Sequence, residues 1–173
     1  MQFNLHKTIE ILERTPIVLK TLLSGIADEW TLSNEGAETW SAYDVIGHLI
    51  HGEKTDWIPR MEIILSNNPD KHFTPYDRFA QFNESKGKTM QQLVDEFAVL
   101  RIQNIETLCQ ANITNADLEK TGIHPAFGVI NLSQLLATWT VHDLNHIAQI
   151  ARVMAKQYKD ATGPWVAYLK ILQ

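Results

Sequence analysis

The sequence predicts an all-α protein folded as a four-helix bundle. Three observations predict it: four segments carry apolar residues at spacings of three and four, two of them open on capping-box patterns, and no segment suggests a strand pair. With 173 residues the chain fits one domain, residues 1–173. A domain of this length buries about 70 % of the surface that its unfolded form exposes, so neither a metal nor a disulfide is needed merely to fold it.

The first helix is expected from Phe3 to about Ile26, where Leu5, Ile9, Leu12, Leu19, Leu22, Leu23 and Ile26 form one apolar stripe. Pro16 removes a backbone donor in mid-pattern, which predicts a kink or a break into two shorter helices. Asp28 to Thr39 reads as a polar connection. Ser41, with Asp44 three residues later, resembles a capping box that starts the second helix. That helix continues through Val45, His48, Leu49, Gly52 and Trp57 to about Leu65, with a second kink expected at Pro59. Ser66 to Lys88 is a long connection, and its Phe73, Tyr76, Phe79 and Phe82 imply that it packs down on the fold.

Thr89 with Gln92 is another capping-box pattern and opens the third helix, in which Leu93, Phe97, Leu100, Asn104 and Leu108 run to about Gln110. Asn112 to Asn131 is a second connection of turn-forming residues. The fourth helix starts near Leu132 or Ser133 and passes through Leu135, Leu136, Trp139, His142, His146, Ile150 and Val153 to about Tyr158. Gly163-Pro164 then introduces a short C-terminal helix carrying Trp165, Tyr168, Leu169 and Leu172. Its apolar face could join two copies as a homodimer or cap its own bundle. Both long inter-helix connections can span a helix length, which leaves the order of the helices open.

Composition excludes several functions. The single cysteine, Cys109, forms no internal disulfide and the N-terminus lacks a signal-peptide order, so a cytoplasmic location is expected. No apolar run approaches the ~20 residues of a membrane span. The net charge is −5, and no cluster of Lys and Arg interleaved with aromatics would track a phosphate backbone, so neither membrane nor nucleic acid is an expected partner.

Chemistry concentrates in the histidines. His142 and His146 are four residues apart on the apolar stripe of the fourth helix, and so share a core-facing side, with Cβ atoms roughly 5–6 Å apart. His48 shares its face with Val45, Gly52 and Thr55, and Gly52 leaves a gap where a ligand could approach. Three buried imidazoles without partners would cost roughly 1–3 kcal/mol each, a cost that a shared metal ion removes. The plainer alternative is three hydrogen-bonded core histidines. His51 competes with His48 as third ligand, His48 lying closer to the Val45–Gly52 line; His6, His72 and His124 read as surface or loop residues.

A zincin protease is disfavoured, because Asp143 stands where H-E-x-x-H has glutamate and no downstream Glu or His follows His146. The tryptophans read as core or bundle-end residues, and Glu35, Glu38, Asp95, Glu96 and Glu119 as solvated faces. Asp56, Arg60 and the Asp77-Arg78 pair fit either the mouth of a site or exposed ion pairs.

Three stretches carry a family resemblance: Trp40-Ser41 leading into Val45-Ile-Gly-His48-Leu-Ile; His124-Pro125-Ala-Phe-Gly128; and Trp139-Thr-Val-His142 with His146-Ile-Ala-Gln149. In order and spacing they resemble the DinB/YfiT-like metalloenzymes, over nearly the whole chain. The resemblance implies a four-helix bundle binding a divalent metal through three histidines, which fall by position on His48, His142 and His146. Zinc or nickel is the metal it implies first, with iron or manganese as further options. It implies thiol-dependent S-transferases and isomerases using bacillithiol or mycothiol, or metal-dependent hydrolases. Gly47 and Asp143 stand where relatives can carry a further histidine, so no role transfers to them.

The expectation is a metal-dependent transferase or hydrolase acting on a small-molecule substrate. Positions left open on the ion would take water or a thiolate, whose pKa the metal would lower. A transferase would need a low-molecular-weight thiol cosubstrate, since Cys109 has no evident activating neighbour. The alternative is a non-catalytic metal- or ligand-binding stress-response bundle. No general base is identified.

Overall fold

The computed structural model describes residues 2–173. Its first helix, α1 (Leu5–Leu23), is capped by Asn4, whose side chain accepts from the Lys7 N–H, and runs unbroken through Pro16. The proline deprives the Leu12 carbonyl of its donor one turn later. Arg101 supplies the replacement, its Nη1 donating to Leu12 O at 3.0 Å. A short helix, α2 (Asp28–Leu32), occupies part of the stretch expected to be an irregular connection.

The capping box of Ser41 and Asp44 forms in both halves and starts α3 (Ala42–Thr55). The next helix, α4 (Trp57–Leu65), follows after a break at Asp56, whose φ of −111° and ψ of −69° depart from helical values. Pro59 thus sits in the first turn of α4, where its missing N–H costs no helical bond, and the interruption falls three residues ahead of it. After α5 (Ala80–Glu84), the box of Thr89 and Gln92 opens α6 (Met90–Gln110).

A four-residue helix, α7 (Asn115–Leu118), precedes a strand pair that the sequence reading does not foresee. β1 (Thr121–His124) and β2 (Gly128–Asn131) pair antiparallel, with Thr121 opposite Asn131 and His124 opposite Gly128. At four residues each, the strands are too short to display alternation, and turn formers surround them. Partners distant in sequence hold them: Phe73 N–H donates to Ile123 O and Ile123 N–H to Lys71 O, each at 2.9 Å. α8 (Leu132–Lys156) is the last long helix. The expected C-terminal helix consists instead of two 3-10 segments, Asp160–Ala167 and Lys170–Leu172; Leu172 packs inward, whereas Trp165 and Tyr168 are exposed.

α1 and α3 each pack against both α6 and α8, which places α1 and α3 at opposite corners of the four-helix bundle. Two apolar clusters divide its core. One holds Leu12, Trp57, Ile64, Leu108 and Trp139, and the other Leu19, Ile46, Leu93, Phe97 and Ile150. Following each helix from one cluster to the other shows that α1 and α8 run one way, and α3–α4 and α6 the other. The chain from Leu65 to Met90 must therefore return along the length of the bundle, and its aromatics pack as it does so: Phe73 is buried and Tyr76 meets His48. The second connection needs no such return and closes as the hairpin.

Candidate metal centre

Between the two apolar clusters lies a polar layer. The i,i+4 spacing on α8 brings His142 and His146 onto the face that meets α3, and the three Nε2 atoms of His48, His142 and His146 converge. Nε2 of His142 is 3.1 Å from Nε2 of His48 and 3.1 Å from Nε2 of His146. Nitrogens bound tetrahedrally to one ion at zinc-like lengths stand about 3.3–3.4 Å apart. The two His142 separations are within a few tenths of an ångström of that spacing, and all three nitrogens lie within 4.8 Å of one another.

The remaining ring nitrogens indicate which tautomers are present. Nδ1 of His48 lies 3.0 Å from the Tyr76 hydroxyl, which also meets the His48 carbonyl at 3.2 Å. The hydroxyl donates to the carbonyl and so accepts from Nδ1–H. Nδ1–H of His146 donates to Gln149 Oε1 at 2.7 Å. Both residues therefore present Nε2 as a lone pair to the centre. Nδ1 of His142 is buried without a hydrogen-bond partner; its ring is positioned by packing, edge-on to Trp57 with centroids 5.1 Å apart.

Burial holds the pKa of His48 down at about 3 and that of His142 at about 2, neighbouring histidines adding to the effect, and burial lowers His146 as well. All three imidazoles are neutral near pH 7; with the His48 and His146 protons on Nδ1, a proton on His142 Nε2 can serve only one of the two facing lone pairs at a time, which leaves at least one unsatisfied. A donor set of neutral nitrogens fits a divalent transition metal.

A model of the DinB superfamily matches residues 11–150. The chain belongs to the DinB superfamily. Among solved structures, this DinB-superfamily protein is similar to YfiT from Bacillus subtilis, with 20 % identity, a TM-score of 0.72, and coverage of 92 % of this chain and 87 % of that one. YfiT is described as a probable metal-dependent hydrolase with an unusual four-helix bundle topology. A comparison with curated proteins finds no match. Among the described residues, no helix is long and apolar enough to cross a membrane.

The other sequence candidates separate. His51 is buried, but its Nδ1 faces Glu84 at 3.1 Å and it stands outside the converging set. His6 and His72 are exposed. His124, expected to be an ordinary surface or loop residue, lines a cavity of about 700 Å³ together with the three clustered histidines. Asp56, Arg60 and Arg78 also line it, whereas Asp77 instead accepts from the Phe79 N–H. The Asp56–Arg60 pair is largely buried in the cavity wall, which favours the mouth of a site over an exposed ion pair, the two alternatives the sequence left open. Gly52 lines the wall, and a Cβ at its position would stand 3.4 Å from Trp57 Nε1, in ordinary contact.

Sequence reasoning misses the polar side chains beside the centre. Arg101, Glu53 and Asp143 form a buried cluster, joined by Trp139 Nε1–H to Glu53 at 3.1 Å. Asp143 therefore turns away from the histidines, which removes the carboxylate that a zincin reading requires. A signal was available in Arg101 and Asn104, polar residues that continue the apolar stripe of Phe97 and Leu108.

Proposed function

We propose that this DinB-superfamily protein is a metal-dependent enzyme of small molecules, with hydrolysis as its leading reaction. The observation that carries this reading is the convergence of three neutral Nε2 atoms in the wall of a cavity of about 700 Å³, a volume suited to a small substrate. His48, His142 and His146 would hold the ion, zinc or nickel first. A divalent ion there supplies Lewis acidity toward a substrate carbonyl or phosphoryl oxygen.

The chain's own residues supply positioning and proton transfer. Tyr76 and Gln149 orient two of the imidazoles. Asp56 is the one carboxylate among the cavity-lining residues, and burial raises its pKa to about 6 against the opposing charges of Arg60 and His51. A carboxylate in that range is suited to accept a proton near neutral pH. Cys109 is exposed on α6 and outside the cavity, so the S-transferase alternative needs an exogenous thiol.

Metal analysis of untagged protein beside a His142→Ala variant tests the reading. About one equivalent of divalent metal is expected in the parent and close to none in the variant; equal contents would overturn the site. Turnover of a panel of small esters and amides should then disappear on chelation.

A further inference from the structure

Two guanidinium groups in the cavity wall are not used by the histidine centre. Arg60, on α4, is 7 % exposed and its Cζ lies 5.2 Å from the centroid of the Phe73 ring. Its Nε stands 2.5 Å from Asp56 Oδ1. Apart from Asp56 its guanidinium has no acceptor among the described residues, and Arg60 lines the cavity. Arg78, on the returning connection, is exposed at the same cavity, has no ion-pair partner among the described residues, and is close enough to help depress the His48 pKa.

The charges do not cancel. With two arginines and Asp56 as the sole lining carboxylate, the wall carries a surplus of one positive charge when Asp56 is ionised. His124 adds a neutral donor: its Nδ1 accepts from the backbone N–H groups of Ala126 at 3.1 Å and Phe127 at 3.3 Å, which leaves its proton on Nε2. Trp40, Trp57 and Phe127 supply apolar surface in the same cavity. Unused guanidinium donors in a low-dielectric wall favour an ionised acceptor. Their planar fork matches a carboxylate through two parallel bonds, and one surplus charge matches a monoanion.

We propose that the cavity selects small substrates that bear a carboxylate on an apolar, aromatic-sized body, the carboxylate held by Arg60 and Arg78. This rests on the reading that the cavity is where substrate binds, and its test avoids the metal. Chelator-treated protein just above neutral pH is titrated with phenylacetate and with phenylacetamide, a neutral near-isostere, using quenching of tryptophan fluorescence as the readout.

Phenylacetate is expected to bind the parent about tenfold or more tightly than the amide, and Arg78→Met, a change at an exposed residue, should bring the two affinities close to equality. Equal affinities in the parent, a preference unchanged in Arg78→Met, or no saturable binding of phenylacetate would each overturn the proposal. Because no metal is present, coordination to an ion cannot account for a carboxylate preference. Failure of the metal centre would appear separately, as equal metal content in the parent and His142→Ala.

Discussion

The guanidinium of Arg101 is fully buried and uses all five of its N–H donors. Nε and Nη2 reach Glu53 at 3.1 and 2.8 Å, Nη1 and Nη2 reach Asp143 at 2.5 and 3.0 Å, and Nη1 also reaches Leu12 O. Burial alone would lower the arginine pKa, but the two carboxylates outweigh it and hold the pKa above its ordinary value. One cation for two anions leaves negative charge, which the N–H groups of Trp139 and Asn104 help to stabilise at Glu53. Arg101→Met would retain much of the volume and leave both carboxylates buried without a cation. A loss of about 3–5 kcal/mol is expected in urea unfolding; a loss under about 1 kcal/mol would show that water relieves the pair. The clustered histidines were legible because two imidazoles four apart on an apolar stripe, with a third on another core-facing stripe, are buried polar groups that each need a partner. Arg101, Glu53 and Asp143 were not, because an isolated charge in a helical pattern resembles a solvated position until its partners from other helices are known.

At the scale of elements, both capping boxes identified in the sequence form, because each is complete within four residues. What depended on distant partners was less legible. The hairpin is held to the returning chain by Phe73 and Lys71, and α3 breaks at Asp56 because Pro59 requires the first turn of a new helix. Glu35 belongs with these cases. It reads as a solvated acid, yet its side chain is 10 % exposed and is bound by Arg152 at 2.9 and 2.8 Å and by Lys156 at 3.1 Å, tying the segment before α3 to the end of α8. The Arg152 hydrogen bonds hold its pKa down at about 2. A depressed carboxylate stabilises the fold above its unfolded pKa, near 4.5, and the contribution is lost as pH falls toward about 2. Arg152 is 43 % exposed, so the effect should be under about 1 kcal/mol. Glu35→Gln should accordingly be less stable than the parent at about pH 6 and nearly equal to it only at about pH 2, with an intermediate gap at about pH 3. Parallel unfolding curves at these pH values check this, and a gap that persists at the lowest pH would assign the loss to packing.

For the molecule as a whole, the four-helix class followed from periodicity, but neighbour relations did not, since a stripe states that a face is buried without stating against what. The long connection after α4 held the missing information: its aromatics packed it along the bundle, and that return makes α3 and α6 parallel neighbours. The same arrangement brings His48 on α3 beside His142 and His146 on α8. Each apolar cluster lies on one side of this layer, so the metal-free chain should remain folded. An ion held only by the native state stabilises it by about 2.7 kcal/mol at a concentration one hundred times its Kd. For a chain of this size, 1 kcal/mol shifts Tm by about 2–4 °C. Loading with zinc or nickel should therefore raise Tm by roughly 5–10 °C, chelation should reverse the rise, and His142→Ala should show neither change. A Tm indifferent to metal in the parent would mean that the ion does not join α3 to α8, and an equal rise in the variant would place its binding elsewhere on the chain.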